Sequence, residues 1–315
     1  MKRDLRIVFM GTPDFAAGIL KTLVEDNYNI VGVVTAPDKP AGRGRKLHES
    51  AVKQYAKSQN LNILQPTNLK SEIFINDLKA LKVNLQIVVA FRMLPKVIWQ
   101  LPTYGTFNLH ASLLPQYRGA APINWAIING DKTTGVTTFF IEEKIDTGEI
   151  ILQEEIAIEP NDTAGTLHDK LMQLGSIVTL KTVKLIENNK VVTVAQTSND
   201  LKEAPKIFSE TCRINWNDSL GNIQNFIRGL SPYPAAWTIL HQNNQEINVK
   251  IFKSYLEFSS HSLKNGAIIV SNKTLKIVVK NGYLVVEELQ LAGKKKMDIQ
   301  SLLNGFQIAE TAYFS

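Results

Sequence analysis

Residues 108–119 read Asn-Leu-His-Ala-Ser-Leu-Leu-Pro-Gln-Tyr-Arg-Gly, which sets an amide, an imidazole and a hydroxyl on alternate positions. In a β-strand, residues i, i+2 and i+4 share one face. The spacing therefore predicts that Asn108, His110 and Ser112 converge at a strand's carboxyl end, where open α/β sheets bind their ligands. An amide donor beside an imidazole suits a reaction in which a carbonyl carbon becomes tetrahedral and its oxygen gains charge. Asp146, in the polar turn Asp146-Thr147-Gly148, adds a carboxylate. Bonded to His110, it would fix the ring's tautomer. The three side chains predict a catalytic site that holds an oxyanion while a proton leaves an attacking amine. A serine nucleophile is not expected, because a nucleophile elbow reads G-x-S-x-G and Ser112 lies in Ala-Ser-Leu-Leu.

Other chemistries find less support. The five histidines (His48, His110, His168, His241 and His261) form no H-x-x-x-H or H-E-x-x-H pair, so no metal is expected. Cys212 is the single cysteine, which excludes an intrachain disulfide and a cysteine-rich metal site. Neither G-x-G-x-x-G after the first strand nor G-x-x-x-x-G-K-[ST] occurs, so dinucleotide and triphosphate fingerprints are missing. The net charge is +6, and residues 201–315 hold 13 Lys and Arg against 9 Asp and Glu. That excess points to a polyanionic partner. Two cationic clusters strengthen it: the loop Pro37–Lys46, with Lys39, Arg43, Arg45 and Lys46 among two prolines and two glycines, and Lys294-Lys295-Lys296. A basic arm of this kind reaches onto phosphates or into a nucleic-acid groove.

The elements that must position these groups follow from periodicity. Strands are expected at Leu5–Met10, Ile30–Thr35, Ile63-Leu64, Leu85–Ala90 and Phe107–His110, with helices at Ala51–Lys57 and Ile73–Leu81 and a first helix that opens on Pro13. This alternation predicts an α/β fold with a Rossmann-like, doubly wound, mostly parallel sheet. Strands at Thr134–Ile141 and Ile150–Ile158 flank Asp146, and a long helix is expected over Thr163–Glu187. After a linker the texture changes. One amphipathic helix, Leu220–Leu230, precedes short strands at Ile247–Phe252, Ala267–Ser271, Leu275–Val279 and Tyr283–Leu289, with Asn281-Gly282 as a hairpin turn. Many short strands in about 110 residues predict a small OB-like β-barrel domain. The expected division is a Rossmann-like catalytic domain at 1–188, a linker at 189–206 and the barrel domain at 207–315. The apolar run at the start is too short for a secretory signal, and no stretch reaches the roughly 18 apolar residues of a bilayer span. With hydrophobic and charged contents of 44% and 20%, ordinary for a soluble protein, a cytoplasmic monomer without membrane contact is expected.

Several of these motifs resemble those of the methionyl-tRNA formyltransferase family: Asn108-x-His110-x-Ser112-Leu113-Leu114-Pro115, Arg118-Gly119-Ala120-Ala121-Pro122-Ile123, Asp146-Thr147-Gly148, Pro40-Ala41-Gly42-Arg43-Gly44, Arg213-Ile214-x-Trp216 and Pro232-Tyr233-Pro234. The first motif is shared with other users of 10-formyltetrahydrofolate, which act on glycinamide ribonucleotide or amino sugars. The basic loop points to tRNA. The resemblance implies that the amine of initiator methionyl-tRNA attacks the formyl carbon of 10-formyltetrahydrofolate. Asn108 and His110 would stabilise the oxyanion and Asp146 would orient His110. Ser112, Leu113, Leu114, Pro115, Phe91 and Met93 would line the folate pocket. Arg43, Arg45, Lys46, Lys206, Lys294, Lys295 and Lys296 would bind tRNA. One departure is visible: the family loop A-Y-G-x-I-L-P is here Ala90-Phe91-Arg92-Met93-Leu94-Pro95, one residue shorter and without the glycine.

Overall fold

The computed structural model describes residues 2–41, 46–197 and 200–315. They fall into two compact units, one of residues 1–119, 134–156 and 168–203, the other of 120–133, 157–167 and 204–315.

The first unit is built on β1 (Ile7–Gly11), β2 (Ile30–Val34), β3 (Ile63–Leu64), β4 (Leu85–Val89), β5 (Thr106–His110), β6 (Thr133–Phe140) and β7 (Ile150–Ala157), in spatial order β7-β6-β5-β4-β1-β2-β3. The pairs β1–β2, β1–β4, β4–β5 and β2–β3 are parallel, and β6 runs antiparallel to β5. A mixed, mainly parallel α/β sheet is thus present, as the alternation predicts. All five residues of β1 are buried, the pattern of a strand covered on both faces. Val8 and Met10 pack with Phe74, Leu78 and Val88 in one core. Strand order reverses between β1 and β4, and such a switch point leaves a crevice at the carboxyl ends of the strands. Val88 lies level with Asn108 and Val89 with Leu109, so the loop after β4, residues 90–95, leaves the sheet at the edge where His110 ends β5. Helix α1 (Asp14–Glu25) starts one residue later than expected. Pro13 is extended (ψ 178°) and occupies the cap position rather than the first turn.

The second unit carries an antiparallel sheet of β8 (Ala236–Gln242), β9 (Gln245–Phe258), β10 (Ile268–Ser271), β11 (Thr274–Val279), β12 (Gly282–Leu291), β13 (Met297–Asp298) and β14 (Tyr313–Phe314). Its order is β10-β11-β12-β9-β8-β14, with β13 on β12. A bridge from Ala267 to Tyr313 and the Phe314 N–H to Gly266 O bond at 2.8 Å join the two ends. The helix expected at Leu220–Leu230 forms over those residues. It lays Leu220, Ile223, Ile227 and Leu230 on a core that includes Trp216, Val249, Ile251 and Leu275.

Two sequence expectations change here. The strand expected at Ile247–Phe252 runs from Gln245 to Phe258, because its register shifts around Lys253 keep it paired with β12 while Lys253 faces solvent. Polar residues on the outer face hid its length. Pairing of β11 with β12 closes at Val279 opposite Gly282, so the two-residue turn is Lys280-Asn281, with Asn281 at φ 68°. Strand β8 had no sequence signal strong enough to predict. No helix among the described residues is long and apolar enough to cross a membrane.

Candidate active site

Asn108 and His110 sit two apart on β5, so the pleat turns both to one face. Asn108 is half-buried, and its amide has no hydrogen-bond partner among the described residues. His110 is 7% exposed. Its Nε2 lies 2.8 Å from the backbone oxygen of Tyr117. A carbonyl only accepts, so Nε2 carries the proton and Nδ1 is the nitrogen left free for proton transfer. Nδ1 is 3.9 Å from Asp146 Oδ2, too far for a hydrogen bond. The tautomer is therefore set by the Tyr117 carbonyl and not, as the sequence led us to expect, by Asp146. The Asp146 carboxylate stands beside the ring and accepts the Gly119 N–H at 3.0 Å.

The 111–117 segment that carries Tyr117 is held from below. Ser112 is fully buried and its hydroxyl donates to Gln116 O at 2.7 Å. Its hydroxyl thus ties the loop together. Thr137, on β6, donates to Ser112 O at 2.6 Å and accepts the Leu114 N–H at 3.1 Å. Gln153, on β7, donates to Leu114 O at 2.6 Å and to Thr137 Oγ1 at 3.0 Å. Leu114 is 3% exposed, Leu113 and Pro115 are half-buried, and the Leu114–Pro115 peptide is cis. Tyr117 has φ 62°, and its N–H donates to Lys202 O at 2.6 Å.

Asp146 also has a left-handed backbone (φ 55°), which Asp tolerates better than most residues. Two residues on, a Cβ at Gly148 would lie 1.7 Å from Phe140 O, so the turn closes only with glycine there. Gln196 bonds to this turn: its Nε2 donates to Asp146 O at 3.0 Å and to Gly148 O at 2.8 Å.

The remaining sequence candidates scatter. On the loop after β4, Phe91 is half-buried and Met93 is 70% exposed. In place of the missing glycine, Arg92 braces the loop by donating to Pro66 O at 2.7 Å and Thr67 O at 3.2 Å, with its guanidinium over the Phe91 ring. The basic loop begins and ends as an antiparallel ribbon, Lys39–Ala41 against Lys46–His48. At its base, Lys53 hydrogen-bonds Asp38 and holds that carboxyl below its ordinary range. Arg43 and Arg45 lie outside the described residues, and of Lys46 only the backbone is described. In the second unit, Lys206, Lys294, Lys295 and Lys296 are all exposed, and Lys296 pairs with Glu288 at 2.7 Å.

Tyr117, Thr137, Gln153 and Gln196 were missed by the sequence reading. Their contacts run to backbone atoms brought near by folding, which no motif spacing displays. Thr137 is one of three buried threonines on β6, with Thr134 and Thr138, and nothing in its sequence position set it apart. Among the described residues, no cluster of three His, Cys, Asp or Glu could hold a metal ion.

Comparison with known proteins places this geometry in a family. Residues 5–183 match the formyl transferase family and residues 206–307 match the formyl transferase C-terminal domain. A methionyl-tRNA formyltransferase of Flavobacterium johnsoniae is 59% identical, with 98% of each chain covered. One of Bacteroides thetaiotaomicron is 53% identical over the same shares. Among solved structures, WlaRD, a sugar 3N-formyl transferase crystallised with dTDP and 5-N-formyl-THF, is similar with a TM-score of 0.64 at 22% identity, over 93% of this chain and all of that one.

Proposed function

The chain belongs to the methionyl-tRNA formyltransferase family, an enzyme that transfers a formyl group to the amine of initiator methionyl-tRNA, and we propose that Asn108, His110 and Asp146 carry out the transfer. The observation that carries the function is full-length identity of 59% to a methionyl-tRNA formyltransferase, both halves included.

When bound, 10-formyltetrahydrofolate supplies the activated formyl carbon. The half-buried amide of Asn108, unpaired among the described residues, fits a formyl oxygen, and Phe91 and Met93 at the same sheet edge fit an apolar ring. Asn108 donates to the oxygen as it gains charge. The attacking amine must lose a proton. His110 takes it at Nδ1, because Nε2–H is committed to Tyr117 O. The resulting imidazolium stands between that carbonyl and the Asp146 carboxylate, 3.9 Å away, adds its charge to the stabilisation of the oxyanion, and returns the proton to the donor nitrogen as the formyl–nitrogen bond breaks and tetrahydrofolate leaves. Leu113, Leu114 and Pro115 wall the folate side, with Ser112 fixing their loop.

Arg43, Arg45, Lys46, Lys206, Lys294, Lys295 and Lys296 bind the tRNA backbone on this reading, supported by the net charge of +6. We read residues 1–188 as the catalytic domain, 189–206 as a linker and 207–315 as an OB-like barrel. The antiparallel order and the Ala267–Tyr313 bridge support a barrel. The enzyme works in the cytoplasm as a monomer, which sedimentation equilibrium tests. The acceptor is tested by offering the purified protein charged initiator tRNA and a dTDP-amino sugar with the same formyl donor. Formylation of the tRNA alone is expected; formylation of the sugar alone overturns the assignment.

A further inference from the structure

The segment read from sequence as a linker contains the side chain that ties Asp146 to the rest of the site. Gln196 uses every hydrogen-bonding capacity of its amide. Its Oε1 accepts from Arg118 Nη2 at 2.6 Å and Nε at 3.1 Å, while its Nε2 donates to Asp146 O at 3.0 Å and Gly148 O at 2.8 Å. Arginine only donates and carbonyls only accept, so one amide orientation satisfies all four bonds.

We propose that Gln196 is a positioning residue for formyl transfer: clamped on Arg118, it holds the Asp146–Gly148 turn so that the Asp146 carboxylate stays beside His110. This rests on the reading that His110 and Asp146 carry the transfer. The turn needs such a brace. Residues 142–145 are exposed, Ile145 by 61%, and Asp146 itself adopts φ 55°. Its carboxylate is 3.9 Å from the ring it serves, so a small displacement decides whether it helps.

The bonds close a loop through residues 117–119. The Tyr117 carbonyl holds His110, Arg118 reaches Asp146 through Gln196, and the Gly119 N–H holds the Asp146 carboxylate. The same stretch of chain acts a second time: Lys202 O accepts the Tyr117 N–H at 2.6 Å and the Lys202 N–H donates to Gln116 Oε1 at 2.7 Å. A bridge between Ile150 and Val194 ties its start to β7. Lys202 and Gln196 therefore set the position of both the general base and its carboxylate, Lys202 through the loop that carries Tyr117 and Gln196 through the Asp146 turn.

The test uses the full-length enzyme. Gln196→Ala removes all four bonds. Gln196→Glu keeps acceptors for Arg118 but turns a donor into an acceptor facing two carbonyls. Both variants are expected to lower kcat by about 10-fold or more, as small displacements at reacting groups do. KM for tRNA and for the formyl donor should stay within about twofold if the role is positioning rather than binding. In an Asp146→Asn background, adding Gln196→Ala should lower the single-turnover rate no further, because the two act as one unit. Unchanged kcat in a folded variant, or the same fold-loss on top of Asp146→Asn, overturns the proposal. If Gln196→Ala melts below the assay temperature, Gln196→Glu is judged by the same criteria. Full activity of Asp146→Asn alone would instead retire the parent reading, whatever Gln196 does.

Discussion

On the proposed mechanism Asn108 is the oxyanion donor: its half-buried amide has no partner among the described residues, on a strand whose buried polar side chains, Thr106 and His110, are hydrogen-bonded. A preorganised donor of this kind acts where charge develops, so Asn108→Ala should lower kcat by about 10²–10³-fold, roughly 2.7–4 kcal/mol. Steady-state kinetics should show KM little changed, because the interaction strengthens only in the transition state. At this scale the sequence was informative about the groups that face one another. Alternation placed Asn108 and His110 on one face, and a polar turn placed Asp146 near them. It was silent on Tyr117, whose contribution is a backbone oxygen, and on Gln196, whose partners are also carbonyls. It did not show the bond of Ser112 to Gln116 O, because a residue beyond the strand end, after His110, no longer follows the strand's alternation.

Strand β6 shows how an element holds a loop for chemistry. Thr137 is fully buried and makes three hydrogen bonds, to Ser112 O, Leu114 N–H and Gln153 Nε2. Thr137→Val keeps the shape and strands buried polar groups, so thermal unfolding should show a loss of about 2–3 kcal/mol. The helix Ile299–Gly305 offers a pH test. The Asp298 carboxylate caps it by accepting the Ser301 N–H and hydroxyl, which holds its carboxyl below the ordinary value. A lowered native value means the stabilisation is present above the unfolded-state value near 3.9 and is lost as pH falls through the lower, folded one. Melting temperature against pH should therefore fall less steeply on the acid side for Asp298→Ala than for the wild type. Elements with strong periodicity, such as Leu220–Leu230, were legible to the residue. Strand β9 was not, because its second half carries polar residues such as Lys253, Ser254 and Glu257, the last of which reaches past β12 to pair with Lys276 on β11 at 2.7 Å.

For the whole molecule, charge and burial make separate predictions. With a net charge of +6 and a polyanionic substrate, KM for tRNA should rise with salt while KM for the formyl donor barely moves. Cys212 is fully buried, its thiol donates to Phe208 O, and burial pushes the thiol up from its ordinary value. A thiol reagent at neutral pH should label it only as the second unit unfolds, with labelling and the loss of its Trp216 fluorescence sharing one midpoint. The alternation of strand and helix made the α/β half legible from sequence. The way the second unit gathers residues 120–133 and 157–167 was not, since those contacts join segments far apart in the chain.

The most direct test of the account is the single-turnover rate of formylmethionyl-tRNA formation by His110→Ala, measured beside its tRNA affinity. If His110 moves the proton, the rate falls by about 10²–10⁴-fold, the range of general acid–base groups, while Kd for tRNA stays within about threefold. A rate equal to the wild type's, or a Kd that weakens in step with the rate, would contradict it.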